Sequence, residues 1–392
     1  MKAFKTSRIY TPDHVIIGGA VLVDGGKVAA VGPHVEVPPS AEVVDFGDRI
    51  IAPGFIDIQI IGTLGHTVLE GDAGEAALGL AQVLPRFGVT SFLPTLITAP
   101  VGEIADRTRA IRGAMKRQGE GAQMLGVHVE GPFFNPTRAG AQPPGYLVEP
   151  TRKDCEMLMN AGEGDLKIIS IAPEVKGALD AIRFFSERGV VCSAAHTDAT
   201  LEEFRAGVEA GIRLATHLYS AMRPFMHRDP GVIDGVWTEE RVAASIIADL
   251  MHAQPTALEV ARRMKGPRNL IVITDAVQAA GLPDGEYNLV GKKVRLERGV
   301  MLLSGSRDDL AKATLAGSVL TMDQAVRNLA LALGWPLGEV LRYVSANPAR
   351  IIGLGGTKGA IVPRADADLV VLNPDLTVFA TVVGGEFAFR AS

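Results

Sequence analysis

Glu130, His196, His217 and Asp275 each close a short apolar run: QMLGVHVEG, GVVCSAAHT, RLATHLY and NLIVITDAV. A polar side chain that ends a buried strand is held rigidly yet faces the mouth of a sheet or barrel, where a metal site is both fixed and reachable. One carboxylate and two imidazoles form the donor set of a zinc-like catalytic centre that keeps a position open for water. An ion held by Glu130, His196 and His217 would lower the pKa of that water to roughly 7. Asp275, on the last run, can take the water's proton and pass it to a departing amine. Its alternative is to cap the helix that follows. A single strand-end histidine reads as a hydrogen-bonded structural group, but four such polar residues in series point to a metal-dependent enzyme.

Other residues carry weaker signals. His252 follows IIADLM and can polarise a substrate carbonyl or lie on the surface as an ordinary histidine. Arg228, in MRPFMHRDPG, can present a guanidinium to an anion such as phosphate or remain solvated. His128 stands two residues before Glu130 and so shares its strand face, and it reads as a packed, hydrogen-bonded core group. His66, in GTLGHTV, is a loop residue near the first strand that reads as ordinary, with an approach to the site as its alternative. His14, His34 and His227 have no recognisable partner.

Such a constellation needs a scaffold of strands ending at one rim. Between about 51 and 355, apolar runs alternate with helical stretches, as repeated βα units require. IAPGFIDIQI, TSFLPTLI, QMLGVHVEG, LKIISIAPE, GVVCSAAHT, RLATHLY, RVAASIIADL and NLIVITDAV make eight candidate strands, the number that closes a (β/α)8 barrel. Residues 283–303 read as a hairpin insertion after the eighth strand, followed by helices over 320–333 and 337–346. Both chain ends read as short strands cut by Gly-Gly, Asp-Gly-Gly and Asn-Pro turns. The expectation is a small β-sandwich built from 1–51 plus 356–392, with a catalytic barrel over 52–355 inserted between its halves.

Composition narrows the function classes. With 392 residues, 47% of them hydrophobic, the chain can bury a large core. A net charge of -5 and a Lys/Arg run nowhere longer than two residues argue against nucleic acid as a partner. The two cysteines, Cys155 and Cys192, lack CxxC spacing and suit a reducing cytoplasm rather than a disulfide framework. No apolar stretch is long enough for a membrane span, and the first residues lack a signal-peptide pattern. A cytoplasmic protein with no membrane partner is expected.

PGFID (53–57), HVEGPF (128–133), SAAHTDATL (193–201), ATHLYSAM (215–222), DLMH (249–252), VITDA (272–276), AGSVLTM (316–322) and ANPAR (346–350) together resemble the N-acetylglucosamine-6-phosphate deacetylase family of the amidohydrolase superfamily. The likeness spans nearly the whole chain, in family order and at the expected strand ends. It implies a distorted TIM barrel, one divalent metal per subunit, and hydrolysis of the N-acetyl amide of a phosphorylated amino sugar. A homodimer is implied as well. By position, the resemblance makes Glu130, His196 and His217 metal ligands, Asp275 the general base and acid, and His252 the group that steadies the acetyl carbonyl. Arg228 matches a phosphate-binding arginine that reaches a neighbouring subunit's site, and Ser220 with Ala221 would offer backbone N–H groups to the phosphate.

Three positions depart from the family pattern. Amidohydrolases with two metals carry His-x-His after the first strand, where this chain has Gln59 and Ile61. A mononuclear centre follows, with Gln59 touching it through water at most. Zinc is the first choice of metal, with Fe, Mn or Co suited to the same donors. Gln142, in GAQPPG, stands where the family usually has a sugar-holding histidine, and Ser220 stands where Asn is common. These two changes fall on substrate-binding positions. They leave open an N-acetylgalactosamine 6-phosphate deacetylase or another N-acylated amine as substrate, and, from a different class, a non-catalytic metal-binding protein.

Overall fold

The computed structural model of the chain describes residues 1–289, 292–297, 300–303 and 317–392. Eight strands succeed one another around a barrel: β1 (Phe55–Ile60), β2 (Val89–Leu96), β3 (Val127–Glu130), β4 (Leu166–Ile171), β5 (Val191–Ala194), β6 (Ile212–Ala215), β7 (Ala243–Ile247) and β8 (Leu270–Ile273). Each pairs with the next in parallel register. β8 returns to β1 through the Ile60–Ala276 bridge and a hydrogen bond from Asp275 N–H to Gln59 O of 2.9 Å. The eight apolar runs thus supply one barrel strand each. Continuous apolar runs, rather than alternating ones, are what parallel strands covered on both faces demand. All eight residues of β2 are buried, as are all six of β1.

The helices between strands start where the sequence provides caps. Asp72 accepts the N–H groups of Gly74 and Glu75 at the head of Ala73–Val83. Thr151 and Thr200 open Arg152–Gly162 and Leu201–Ala210 with capping boxes closed by Asp154 and Glu203.

The run 51–60 divides at Gly54. Residues Ile50–Pro53 leave the barrel to pair with Lys2–Tyr10 on one side and Leu369–Leu372 on the other. A Cβ at Gly54 would lie 2.2 Å from the Thr90 side chain, so only glycine lets the chain pass there. The strands of both termini form one eight-stranded sheet, in which Lys2–Tyr10 branches to pair with Glu42–Asp45 as well. Phe4, Phe46, Ile51, Leu369 and Val382 gather its core, separate from that of the barrel. The expected hairpin after β8 is a three-stranded antiparallel unit, Gly285–Leu289, Lys292–Glu297 and Val300–Leu303. The helix expected over 320–333 is Met322–Arg327 followed by a π-helical turn, Asn328–Ala332, and the one over 337–346 is Leu337–Tyr343, with Ala346–Ile351 after it.

A buried ion cluster lies in the C-terminal segment that leads into Leu369–Leu372. Lys358 Nζ lies 2.7 Å from Asp368 and 2.9 Å from Asp366, and the Asp368 carboxylate also accepts the Gly384 N–H at 2.9 Å. Burial by itself would lower the Lys358 pKa, but the charge and hydrogen bond of Asp368, then those of Asp366, outweigh it and raise the value. Burial would raise the Asp366 carboxyl, yet Lys27 and Lys358 hold it down. A lysine raised on folding contributes stability that is lost as pH rises through its folded value. A carboxylate lowered on folding contributes stability lost as pH falls through its own. Lys358→Met therefore lowers unfolding free energy at neutral pH by about 3–5 kcal/mol, because it strands the buried Asp368 carboxylate, while Asp366 keeps Lys27. It also flattens the alkaline limb of the stability profile, as denaturant titration across pH will show.

Candidate active site

Four barrel strands deliver the chemical residues to one rim. Glu130 is the last residue of β3, while His196, His217 and Asp275 stand two residues beyond β5, β6 and β8. These last three take φ of +47°, +38° and +50°, a left-handed conformation that non-glycine residues rarely adopt. Tyr219, Ala221 and Leu250, in the loops after β6 and β7, do the same. Each such residue costs about 1–3 kcal/mol. Their clustering means that the strand ends turn sharply enough to aim short polar side chains at one point.

That point is a three-residue cluster. The ligand atoms of Glu130, His196 and His217 all lie within 4.8 Å of one another and are buried. His217 Nε2 is 2.9 Å and His196 Nε2 3.5 Å from Glu130 Oε1. The two imidazole rings meet edge to face at 4.9 Å. His196 Nδ1 lies 3.0 Å from the Arg138 carbonyl, which only accepts, so Nδ1 carries the proton and Nε2 keeps a lone pair directed at the cluster. His217 Nδ1 has no hydrogen-bond partner among the described residues, and its ring is held by packing and by Nε2. Two imidazole nitrogens and one carboxylate oxygen converging in a buried space fit a divalent cation.

The two acidic groups have opposite electrostatics. Burial would raise the Glu130 carboxyl, but hydrogen bonds to His196 and His217 hold it well below the usual range. Asp275 is pushed up to about 7 by burial and by the Glu130 charge, against the pull of His217, His252 and Gln59. Two neighbouring carboxyls whose surroundings push their pKa values apart are suited to different tasks. Among the described residues Asp275 caps no helix; the next one, Met322–Arg327, has Thr321 at its N-cap.

Gln59 bridges two carboxylates at the centre. Its Nε2 donates to Glu130 Oε1 and to Asp275 Oδ1, each at 3.0 Å. Ile61 points elsewhere, into an apolar cluster with Val277, Ala279, Val294 and Leu296. Beneath Gln59 on the same strand face, Asp57 accepts the Thr274 hydroxyl at 2.5 Å and so ties β1 to the residue before Asp275. His128 is a core residue, as expected. Its Nδ1 lies 3.0 Å from Ile58 O and its Nε2 2.9 Å from the Ser170 hydroxyl, and burial lowers its pKa to about 4.

The remaining candidates divide. His252 lies after β7 with Nδ1 2.6 Å from Asp249 Oδ2, and its charge acts on Asp275. Gln142 is buried, with Oε1 accepting the Thr98 N–H at 2.8 Å. Two residues earlier, Gly140 passes close to His196 and Ala221. The Ser220 N–H donates to His217 O at 2.9 Å, so it closes a turn instead of facing outward. Arg228 is exposed on the 223–229 loop, beside the exposed Phe225 and Met226. His66 packs its ring against Gly79 of the first barrel helix.

Two supporting residues escaped sequence reasoning. Glu174 accepts from Asn135, from the Thr197 hydroxyl and from the Asp198 N–H, bracing the loop that carries His196. Asp249 braces the loop that carries His252. Only Asp249 had a sequence signal, its three-residue spacing from a histidine.

The sequence model of the Amidohydrolase family matches residues 50–388. The chain is 36% identical over 374 residues to the N-acetylglucosamine-6-phosphate deacetylase of Lysinibacillus sphaericus, covering 95% of this chain and 94% of that one. It is 33% identical to the N-acetylgalactosamine-6-phosphate deacetylase of Escherichia coli O157:H7, covering 98% of both. A solved structure of a mutant N-acetyl-D-glucosamine-6-phosphate deacetylase from Mycobacterium smegmatis, in complex with N-acetyl-D-glucosamine-6-phosphate, superposes with a TM-score of 0.89 at 30% identity, covering 99% of both chains.

Proposed function

The chain belongs to the amidohydrolase family, and from that premise we propose that it hydrolyses the N-acetyl amide of N-acetylglucosamine 6-phosphate to glucosamine 6-phosphate and acetate. The observation that carries this reading is the buried Glu130–His196–His217 cluster with a free carboxyl, Asp275, tied to it through Gln59. A structural ion would be closed by a fourth protein ligand and would have no use for that carboxyl.

A divalent cation held by Glu130, His196 and His217 supplies Lewis acidity, lowering the pKa of water and polarising a carbonyl. Zinc suits the donors best, with Fe, Mn or Co next. Asp275 takes a proton as water oxygen bonds to the acetyl carbon, and returns it to the amine nitrogen as the carbon–nitrogen bond breaks. Gln59 keeps the Asp275 carboxyl beside Glu130 during both transfers. His252 faces the acetyl oxygen. For the phosphate, the Ser220 N–H is engaged in its turn, which leaves the Ala221 N–H and the Ser220 hydroxyl, with Arg228 reaching from a second subunit of a homodimer. Gln142, its oxygen held by Thr98, offers its NH2 group to a sugar hydroxyl. No helix among the described residues is long and apolar enough to cross a membrane. Both cysteines are free and buried, which suits a reducing cytoplasm.

The test is acetate release by metal-quantified protein from N-acetylglucosamine 6-phosphate, its galactosamine isomer and both unphosphorylated sugars. Preferred turnover of the first, at one metal per chain, is the expected result. Preference for the galactosamine isomer would reassign the sugar and keep the chemistry, while turnover of none would overturn the reading. Gln59→Leu is expected to cost about 10- to 100-fold in kcat with the metal retained, the range seen when a partner of a metal ligand or base is removed.

A further inference from the structure

The loop after β7 has a feature that the reaction outlined above leaves unused. Asp249 places both carboxylate oxygens on the segment that carries His252. Its Oδ1 accepts the N–H groups of Met251 at 2.9 Å and of His252 at 2.8 Å. Its Oδ2 lies 2.6 Å from His252 Nδ1. Three bonds to one carboxylate fold residues 249–252 into a tight turn, with Leu250 forced to φ +66°. The turn is braced from behind: Asn328, at the start of the π-helical segment Asn328–Ala332, donates to the Ala248 carbonyl at 2.8 Å, and Gln324 fixes Asn328 from 2.7 Å. Single π-turns of this kind cluster at functional sites. The side chains of both Asp249 and His252 are about nine-tenths buried, at 12% and 11% exposed.

We propose that Asp249 is a positioning residue that turns His252 Nε2 toward the substrate and serves as the counter-ion of its ring; the inference rests on the deacetylase reading. The chemistry follows from the proton count. A carboxylate only accepts, so the proton of the 2.6 Å contact belongs to Nδ1. With that proton fixed, Nε2 of the neutral ring is a lone pair, and it donates to a carbonyl oxygen only when the ring carries both protons. His252 therefore meets the negative charge that develops on the acetyl oxygen as an imidazolium paired with Asp249, a stronger stabiliser than a neutral N–H. The same contact rules out the tautomer in which a neutral ring donates from Nε2.

Asp249→Asn isolates this role. The asparagine oxygen can still accept the Met251 and His252 N–H groups, while its NH2 facing Nδ1 reverses the tautomer and removes the counter-charge. Measured on N-acetylglucosamine 6-phosphate with zinc-loaded protein, kcat is expected to fall about 10- to 100-fold with KM, metal content and melting temperature nearly unchanged. The decisive reading is the double-mutant cycle with His252→Asn. An Asp249 that acts through His252 has no further effect once the ring is gone, whereas a merely structural Asp249 costs the same in both backgrounds. Imidazole nitrogen NMR of the unmutated zinc protein, with the His252 signal identified by its loss in His252→Asn, supplies a second readout that needs no Asp249 variant. Protonated Nδ1 is expected. Additive losses in the cycle, or an unprotonated Nδ1, would overturn the proposal. Failure of the deacetylase reading would show separately, as absence of turnover in the unmutated protein.

Discussion

Asp275→Asn is expected to lower kcat for acetate release by about two to four orders of magnitude, the usual contribution of a positioned general base. The substitution is clean for a structural reason. Asp275 sits at φ +50°, and asparagine is among the few side chains that tolerate the left-handed region. The Asn oxygen can still accept the Gln59 Nε2 bond of 3.0 Å, so the geometry stays while the proton acceptor is lost. Asp275→Ala would add backbone strain and confound the result. Stability should move the other way in the metal-free protein. Folding raises the Asp275 pKa from the ordinary 3.8 to about 7, so ionising it disfavours the native state. An acid raised on folding makes stability fall as pH rises through that window. Metal-free Asp275→Asn should therefore melt higher than its parent above about pH 7, with the advantage fading as pH falls toward 3.8. A variant that keeps full turnover would remove Asp275 from the reaction, and another acid would have to be sought.

Glu130→Gln should abolish activity by a different route, loss of the ion. Glu130 supplies the only negative charge of the three-residue cluster, and its carboxylate is held ionised by two imidazoles. A carboxamide of the same shape leaves two neutral nitrogens and a neutral oxygen, a set with much weaker hold on a divalent cation. Metal analysis should find about one ion per unmutated chain and almost none in the variant, with turnover lower by more than the roughly 100-fold typical of outer partners. Ligand linkage gives a readout independent of catalysis. Zinc at about 100 times its dissociation constant should stabilise the unmutated protein by ~2.7 kcal/mol and leave Glu130→Gln unmoved. Chelation followed by zinc should remove and restore activity in the former alone. Undiminished zinc binding by the variant would mean that the ion is held elsewhere.

The two variants separate functions that the sequence had already set apart. The Glu and His residues stand at the ends of β3, β5 and β6, and their types suit a metal whatever the exact loop geometry. Gln59 shows the opposite case. It lies 71 residues from Glu130 and 216 from Asp275, and no local pattern announces a bridge between two carboxylates. Only closure of β8 onto β1 brings it between them. Ser220 shows the same limit at shorter range. A backbone N–H expected to meet phosphate is instead consumed by the four-residue turn His217–Ser220, in which Tyr219 takes a left-handed φ of +84°.

The sequence by itself determined the barrel, its strand order and which polar residues stand at its strand ends, because hydrophobic run length and the position of a polar residue at a run's end are local properties. The tertiary structure decided which of those residues touch. It set Gln59 between Glu130 and Asp275, turned Ile61 into an apolar cluster, and locked His252 to Asp249. It also sent Ile50–Pro53 out of the barrel to the terminal sheet. Contacts of this kind depend on barrel closure, on φ at strand ends and on the space beside a glycine such as Gly54. These are long-range and steric conditions, and a one-dimensional pattern of residue types does not encode them separately.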